Sequence, residues 1–265
     1  MIIAEIPYFI PDGVKTLPML AELNAGIFLY YDRENALFFH RDTYYNLLKG
    51  NNASLSEEPL ASMSSSPVNR EIITLDPTKA PLLNEKYQEL YAFLSAHPQT
   101  SVEATLQLIN QFVRTKVFDP ALYSENHLED LLEEWIADQE ELTDFTLTIK
   151  GTWIPVLPID FFIQKRCGVC RHYALVTGYF LDKLVKDPLQ LLPPGRVHYV
   201  RDLVKNGGGH AWNFYLPTDS DAAWVTDSTW NIVKNALDPS HRSLLDQFYG
   251  KRAIENQLER FLHSQ

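Results

Sequence analysis

What most limits the folds open to this chain is a cysteine at the head of a helical run, followed by closely spaced β-prone runs. From Cys170 to about Lys186 the residues are helical in character, and Pro188, Pro193, Pro194 and Gly195 prevent continuation. Residues 196–203, 210–216 and 222–227 are then β-prone, separated by turn-forming residues at 206–209 and 217–220. Turns this short join antiparallel neighbours, so the pattern predicts a helix laid on an antiparallel meander, an α+β arrangement. Ala174 and Gly178 follow Cys170 at i+4 and i+8, a stripe small enough for a sheet to approach closely.

Upstream, apolar residues recur at helical spacing in three stretches. These are Tyr87, Leu90, Tyr91 and Leu94; Leu106, Ile109, Phe112 and Val113; and Leu128, Leu131, Leu132, Trp135 and Ile136. Ser101 with Glu103 reads as the cap and acidic first turn of the second. Phe145, Leu147 and Ile149 alternate with polar residues, the period of a half-buried strand. The runs 27–31 and 36–39, separated by Asp32-Arg33-Glu34-Asn35, read as a hairpin. A polar, Ser-rich stretch follows it. The organisation expected is an N-terminal β-containing appendage over 1–50, a linker or mobile loop over 51–75, and a catalytic domain over 76–265, closed by one or two helices.

Composition removes several classes of function. With 34 Asp+Glu against 23 Lys+Arg, the net charge of -11 opposes attraction to phosphate backbones and anionic membrane surfaces, so nucleic acid is not an expected partner. No apolar stretch is long enough for a membrane helix, and Met1-Ile2-Ile3-Ala4-Glu5 lacks the basic start and continuous apolar core of a signal peptide. The default expectation is a cytoplasmic protein without membrane insertion, with export by a machine that reads no N-terminal signal left open. Two cysteines do not make a disulfide framework.

Cysteine acyl chemistry needs a thiolate, an imidazole to exchange protons with it, and a carboxylate or amide to orient the imidazole. Cys170 stands where unpaired helix N–H groups and the helix dipole favour a thiolate. His210 opens an alternating strand whose Trp212, Phe214 and Leu216 share its face. Asp227 ends the next strand, from which it can reach His210 and hold Nδ1–H. Gln164 is the candidate oxyanion donor, together with the backbone N–H of Cys170. Trp212 reads first as a core aromatic and second as a wall of the substrate site. Cys167 reads as a packing residue beside the nucleophile, since neither a second Cys pair nor a thioredoxin-like start supports zinc or redox use. His172 is expected at the surface or in a supporting position.

Three blocks resemble, in order, those of the transglutaminase-like superfamily: Gly168-Val169-Cys170-Arg171-His172-Tyr173-Ala174, His210-Ala211-Trp212-Asn213-Phe214-Tyr215-Leu216-Pro217 and Trp224-Val225-Thr226-Asp227-Ser228-Thr229. The resemblance covers roughly residues 101–232. It implies a papain-like fold in which Cys170 attacks a carboxamide or peptide carbonyl, His210 shuttles protons and Asp227 orients His210. An upstream Trp often contributes to the oxyanion site of transglutaminases, and Trp153 is the nearest here. The expected activity is cysteine-dependent acyl transfer on a protein or peptide substrate, through a Cys170 thioester and without cofactor or metal. Hydrolysis or deamidation is preferred over crosslinking because water is always available. The alternatives are a catalytically silent interaction module and, ranked lower, an arylamine acetyltransferase-type transfer.

Overall fold

The computed structural model describes residues 27–31, 36–40, 43–48, 54–63, 71–137, 146–149, 152–205 and 207–262. The architecture is α+β, as expected. Strands β1 (Ile27–Tyr31) and β2 (Ala36–His40) pair antiparallel as the predicted hairpin, with Phe28 opposite Phe39; its turn residues, Asp32 to Asn35, lie outside the described residues. With β3 (Thr43–Leu47), β4 (Leu60–Met63), β5 (Ile72–Leu75), β6 (Thr146–Ile149) and β7 (Thr152–Pro158) they form one mixed sheet in the order β1-β2-β3-β4-β5-β7-β6.

The expected linker over 51–75 is therefore not a linker throughout, because it supplies β4 and β5. Its serines are interspersed with Leu55, Leu60, Ala61, Ile72, Ile73 and Leu75, all buried, and the apolar area these remove from water outweighs the polar composition. Ser62 is itself buried, with its hydroxyl beside that of Tyr199.

The three predicted amphipathic helices are α1 (Pro81–Ala96), α2 (Val102–Phe112) and α3 (Glu125–Ala137). Ser101 caps α2 as expected, its hydroxyl accepting from the Ala104 N–H at 3.2 Å. Between α2 and α3 the chain forms a π-helical turn (Val113–Val117) and a short 3-10 turn (Pro120–Leu122). Helix α4 (Ile159–Lys165) follows β7, and Arg166 leaves it in the left-handed region at φ 52°. The long helix α5 (Cys170–Val185) begins at Cys170.

The meander is a four-stranded antiparallel sheet in the order β11-β10-β9-β8, formed by β8 (Gly195–Leu203), β9 (Gly209–Pro217), β10 (Trp224–Asp227) and β11 (Ile232–Asn235). Both faces are covered. Ala211 and Tyr215 of β9 join the larger core with α1, α2 and α5, while Trp212, Phe214 and Leu216 join a second core with α6 (Pro239–Phe248) and α7 (Lys251–Leu262). Period-two alternation thus gives β9 two apolar faces rather than one, which accounts for its burial from His210 onward.

At Gly178 α5 lies close against its neighbours: a Cβ there would meet Asn213 Oδ1 at 2.7 Å and Leu55 Cδ1 at 2.6 Å. The Asn213 amide also donates to the Ala174 carbonyl at 2.9 Å. The small stripe is what allows a strand side chain to bond directly to the helix backbone.

Candidate active site

Cys170, the first residue of α5, meets the beginning of β9, where His210 and the backbone N–H of Ala211 both reach its thiol. Adjacent antiparallel strands bring Asp227 to the same place: His210 Nε2 lies 2.7 Å from Asp227 Oδ2, both side chains buried. The nitrogen differs from the one expected. The imidazole gives Nε2, not Nδ1, to the carboxylate, and Cys170 is the second side chain that bonds to the ring.

The electrostatics favour an ion pair. Burial pushes the Cys170 thiol up, but the hydrogen-bonding interaction with His210, the His210 and Arg171 charges and the Ala211 N–H outweigh it and bring the thiol below its ordinary range. Burial alone would lower His210, yet Asp227 and Cys170 push it up to about 9. Cys167 is the opposite case: burial, followed by the charge of Glu71, pushes it up to about 11, and its sulfur rests against the Leu122 carbonyl at 3.8 Å. It packs, as expected. Both cysteines are free.

Asp227 is held on every side. Its Oδ1 accepts from the N–H groups of Thr229 (2.8 Å) and Trp230 (3.2 Å), and its Oδ2 accepts a second hydrogen bond, from the Tyr249 hydroxyl at 2.8 Å. The Trp230 ring stacks on the His210 imidazole, centroids 3.7 Å apart and planes within 10°. The turn after Asp227 is anchored from α2, where Asn110 Oδ1 accepts from Thr226 (2.8 Å) and Ser228 (2.9 Å) and its Nδ2 donates to the Ile232 carbonyl (3.0 Å). From the π-helical turn, Arg114 donates to the Ser228 and Thr229 carbonyls. A π turn widens the helix and re-aims one side chain, here the guanidinium that fixes the loop behind the carboxylate.

Beside Cys170, Arg171 pairs with the buried Glu71 through Nε at 2.9 Å and through Nη2. Of the two positions expected for His172, the structure takes the supporting one: it is fully buried rather than at the surface. Its Nδ1 accepts the Val169 N–H at 3.1 Å, capping α5, and its Nε2 points to Glu71 Oε1 at 3.4 Å. Burial and the Arg171 charge push its pKa well below the ordinary value, so the ring is neutral.

The two remaining candidates fall elsewhere. Gln164 is exposed on α4 and bonds to none of Cys170, His210 and Asp227, since α4 ends in the left-handed turn at Arg166 before the chain reaches Cys170. Trp212 is fully buried beneath His210 and Tyr249, so it is a core residue and not a wall of the substrate site; the second apolar face of β9 takes it inward. Trp153 falls on β7. What stands next to the Cys170 backbone N–H is the hydroxyl of Tyr123, whose ring packs edge-on against Tyr173 at 5.8 Å. Burial and the nearby Cys170 and Asp227 charges push its pKa up, so it keeps its proton.

Sequence reasoning passed over Tyr123, Tyr249, Trp230, Asn110 and Glu71. Asn110 carried a signal, a polar side chain on the apolar stripe of α2, whereas the other four depend on chain crossings that no local pattern encodes.

Among the described residues no cluster of His, Cys, Asp and Glu is arranged to hold a metal ion, and no helix is long and apolar enough to cross a membrane. No family model matches the sequence, and no curated protein matches it. Among solved structures the fold is similar to Legionella pneumophila LapG, with 14% identity, a TM-score of 0.34, and coverage of 63% of this chain and 72% of that one.

Proposed function

We propose that this chain is a cysteine-dependent acyl-transfer enzyme acting on peptide, isopeptide or glutamine carboxamide bonds. The observation that carries the reading is the buried His210–Asp227 pair set against Cys170 at the head of α5. The Cys170 thiolate adds to the carbonyl carbon and its electron pair forms the C–S bond, while the carbonyl π pair moves to oxygen. The oxyanion collapses, the C–N bond breaks, and the His210 imidazolium delivers its proton to the departing amine or ammonia, leaving a thioester and neutral His210. His210 then takes a proton from water, the hydroxide adds to the thioester, and the released thiolate restores the ion pair. Asp227 keeps the imidazole aligned throughout and stabilises its charged form.

The Cys170 backbone N–H and the Tyr123 hydroxyl, which stand side by side, are the oxyanion donors in this reading, so Tyr123 takes the role expected for Gln164. Water is the acceptor in this reading, making hydrolysis or deamidation the principal outcome over crosslinking.

The test is the iodoacetamide alkylation rate of each cysteine, followed by mass spectrometry from pH 4 to 9 on the full chain. Fast labelling of Cys170 well below the ordinary thiol range, with Cys167 slow throughout, is the expected result. Equal, slow labelling of both cysteines, each rising only near pH 9, would remove the basis for the reading.

A further inference from the structure

The inference rests on the triad reading and concerns how its base is tuned. Two donors share Asp227 Oδ2, His210 Nε2 at 2.7 Å and the Tyr249 hydroxyl at 2.8 Å. Tyr249 stands at the C-terminal end of α6, buried to 1% exposure, and Gly250 at φ 81° turns the chain directly into α7. Its ring is wedged between Trp212 (4.9 Å) and Trp230 (5.3 Å), so its hydroxyl has one direction in which to point. Burial and the Asp227 charge keep its proton in place, and it acts as a donor only.

Donors that share one oxygen compete for its electron density, and the competition costs the charged imidazolium more than it costs the neutral ring. We propose that Tyr249 is a positioning residue that sets the basicity of His210 through Asp227, holding the imidazolium at a strength from which it still releases its proton to a leaving amine. The titratable and charged groups facing this pair are Cys170 and Arg171 from α5, Tyr123 from the turn before α3, and Tyr249 itself. Among the described residues, Tyr249 is the one side chain besides His210 that bonds to the carboxylate. The Thr229 and Trp230 N–H groups hold the other oxygen, so removing the phenol oxygen leaves the carboxylate in place and changes only what it offers to His210.

The experiment follows the 13C-histidine NMR titration of His210 in the full chain, with its signal assigned by loss in His210→Gln. Tyr249→Phe removes the competing donor and is expected to raise the His210 midpoint by roughly half a unit or more. Replacing Tyr249 by 3-fluorotyrosine, a stronger donor of the same shape, is expected to lower it. A purely structural role would reduce the melting temperature without moving the midpoint, and coincident midpoints in the three proteins would overturn the proposal. Iodoacetamide labelling of the same samples separates the two ideas: rapid His210-dependent labelling of Cys170 with unmoved midpoints removes the role of Tyr249 alone. Displaced midpoints with slow, His210-independent labelling keep the coupling and remove the acyl-transfer reading.

Discussion

Two buried histidines flank the start of α5 and are driven to opposite charge states. His210 has a carboxylate on Nε2 and a thiol on its other side, and these partners raise it to about 9 against the penalty of burial. His172 also has a carboxylate near Nε2, Glu71 at 3.4 Å, yet its pKa falls well below the ordinary value. Burial lowers both, and what separates them is who already owns the carboxylate. Arg171 engages Glu71 through two nitrogens, so the negative charge is spent on a guanidinium that then repels any proton on His172. Asp227 has only neutral donors besides His210, and its charge is left for the imidazolium. Proximity to a carboxylate therefore decides little until the rest of that carboxylate's partners are counted.

The widest separation between the two sides should appear in catalysis. His210→Ala is expected to slow Cys170 acylation by p-nitrophenyl acetate roughly 100- to 10,000-fold, the range for losing a positioned acid–base group. His172→Gln, which keeps an acceptor near the Val169 N–H, should stay within a few-fold of the parent in the same burst assay. A comparable loss in both variants would erase the distinction.

Next in size is a stability effect confined to the other side. Glu71→Gln leaves the Arg171 guanidinium buried without its counter-charge, and the expected cost is about 3–5 kcal/mol in a urea or guanidinium unfolding curve. In the same variant His172 loses the nearby carboxylate while burial and the Arg171 charge still act on it, so it should still show no protonation in an NMR titration down to pH 6. A His172 signal titrating near its ordinary midpoint would break the account of who owns Glu71.

The smallest expected effect is the pH dependence of stability on the His210 side. His210 has a folded pKa of about 9 against an unfolded value near 6.5, so the stabilisation from its charged form is complete below the unfolded value and is lost as pH rises through about 9. The difference in unfolding midpoint between the parent chain and His210→Gln should therefore shrink between pH 6.5 and 9. A difference that grew across that window would mean the imidazole is not held as the cation.

How far the sequence carries depends on whether a feature is local. The small stripe of Ala174 and Gly178, the period of β9 and the position of Asp227 at a strand end are local patterns, and they were enough to bring Cys170, His210 and Asp227 to one place. Only its spacing, six residues before Cys170, points to Gln164, and one residue in the left-handed region, Arg166, separates it from the geometry that spacing implies. The choice between Nδ1 and Nε2 depends on which ring edge a strand offers to a helix, a three-dimensional quantity. Glu71 lies 100 residues from Arg171 and Tyr249 lies 22 from Asp227, both in segments with no mark to distinguish them from neighbouring polar or aromatic residues. The Ser-rich stretch misled for a related reason: its average composition is polar, whereas burial acts on individual leucines and isoleucines.

The close approach at Gly178 carries a consequence for reactivity. That residue lies eight positions beyond Cys170, about 12 Å along the helix axis. A methyl group there presses on the Asn213 amide, whose bond to the Ala174 carbonyl sits one turn nearer the sulfur. Side-chain size at position 178 thus bears on the seam between α5 and β9 one turn away from Cys170, through a residue that touches neither the thiol nor the imidazole.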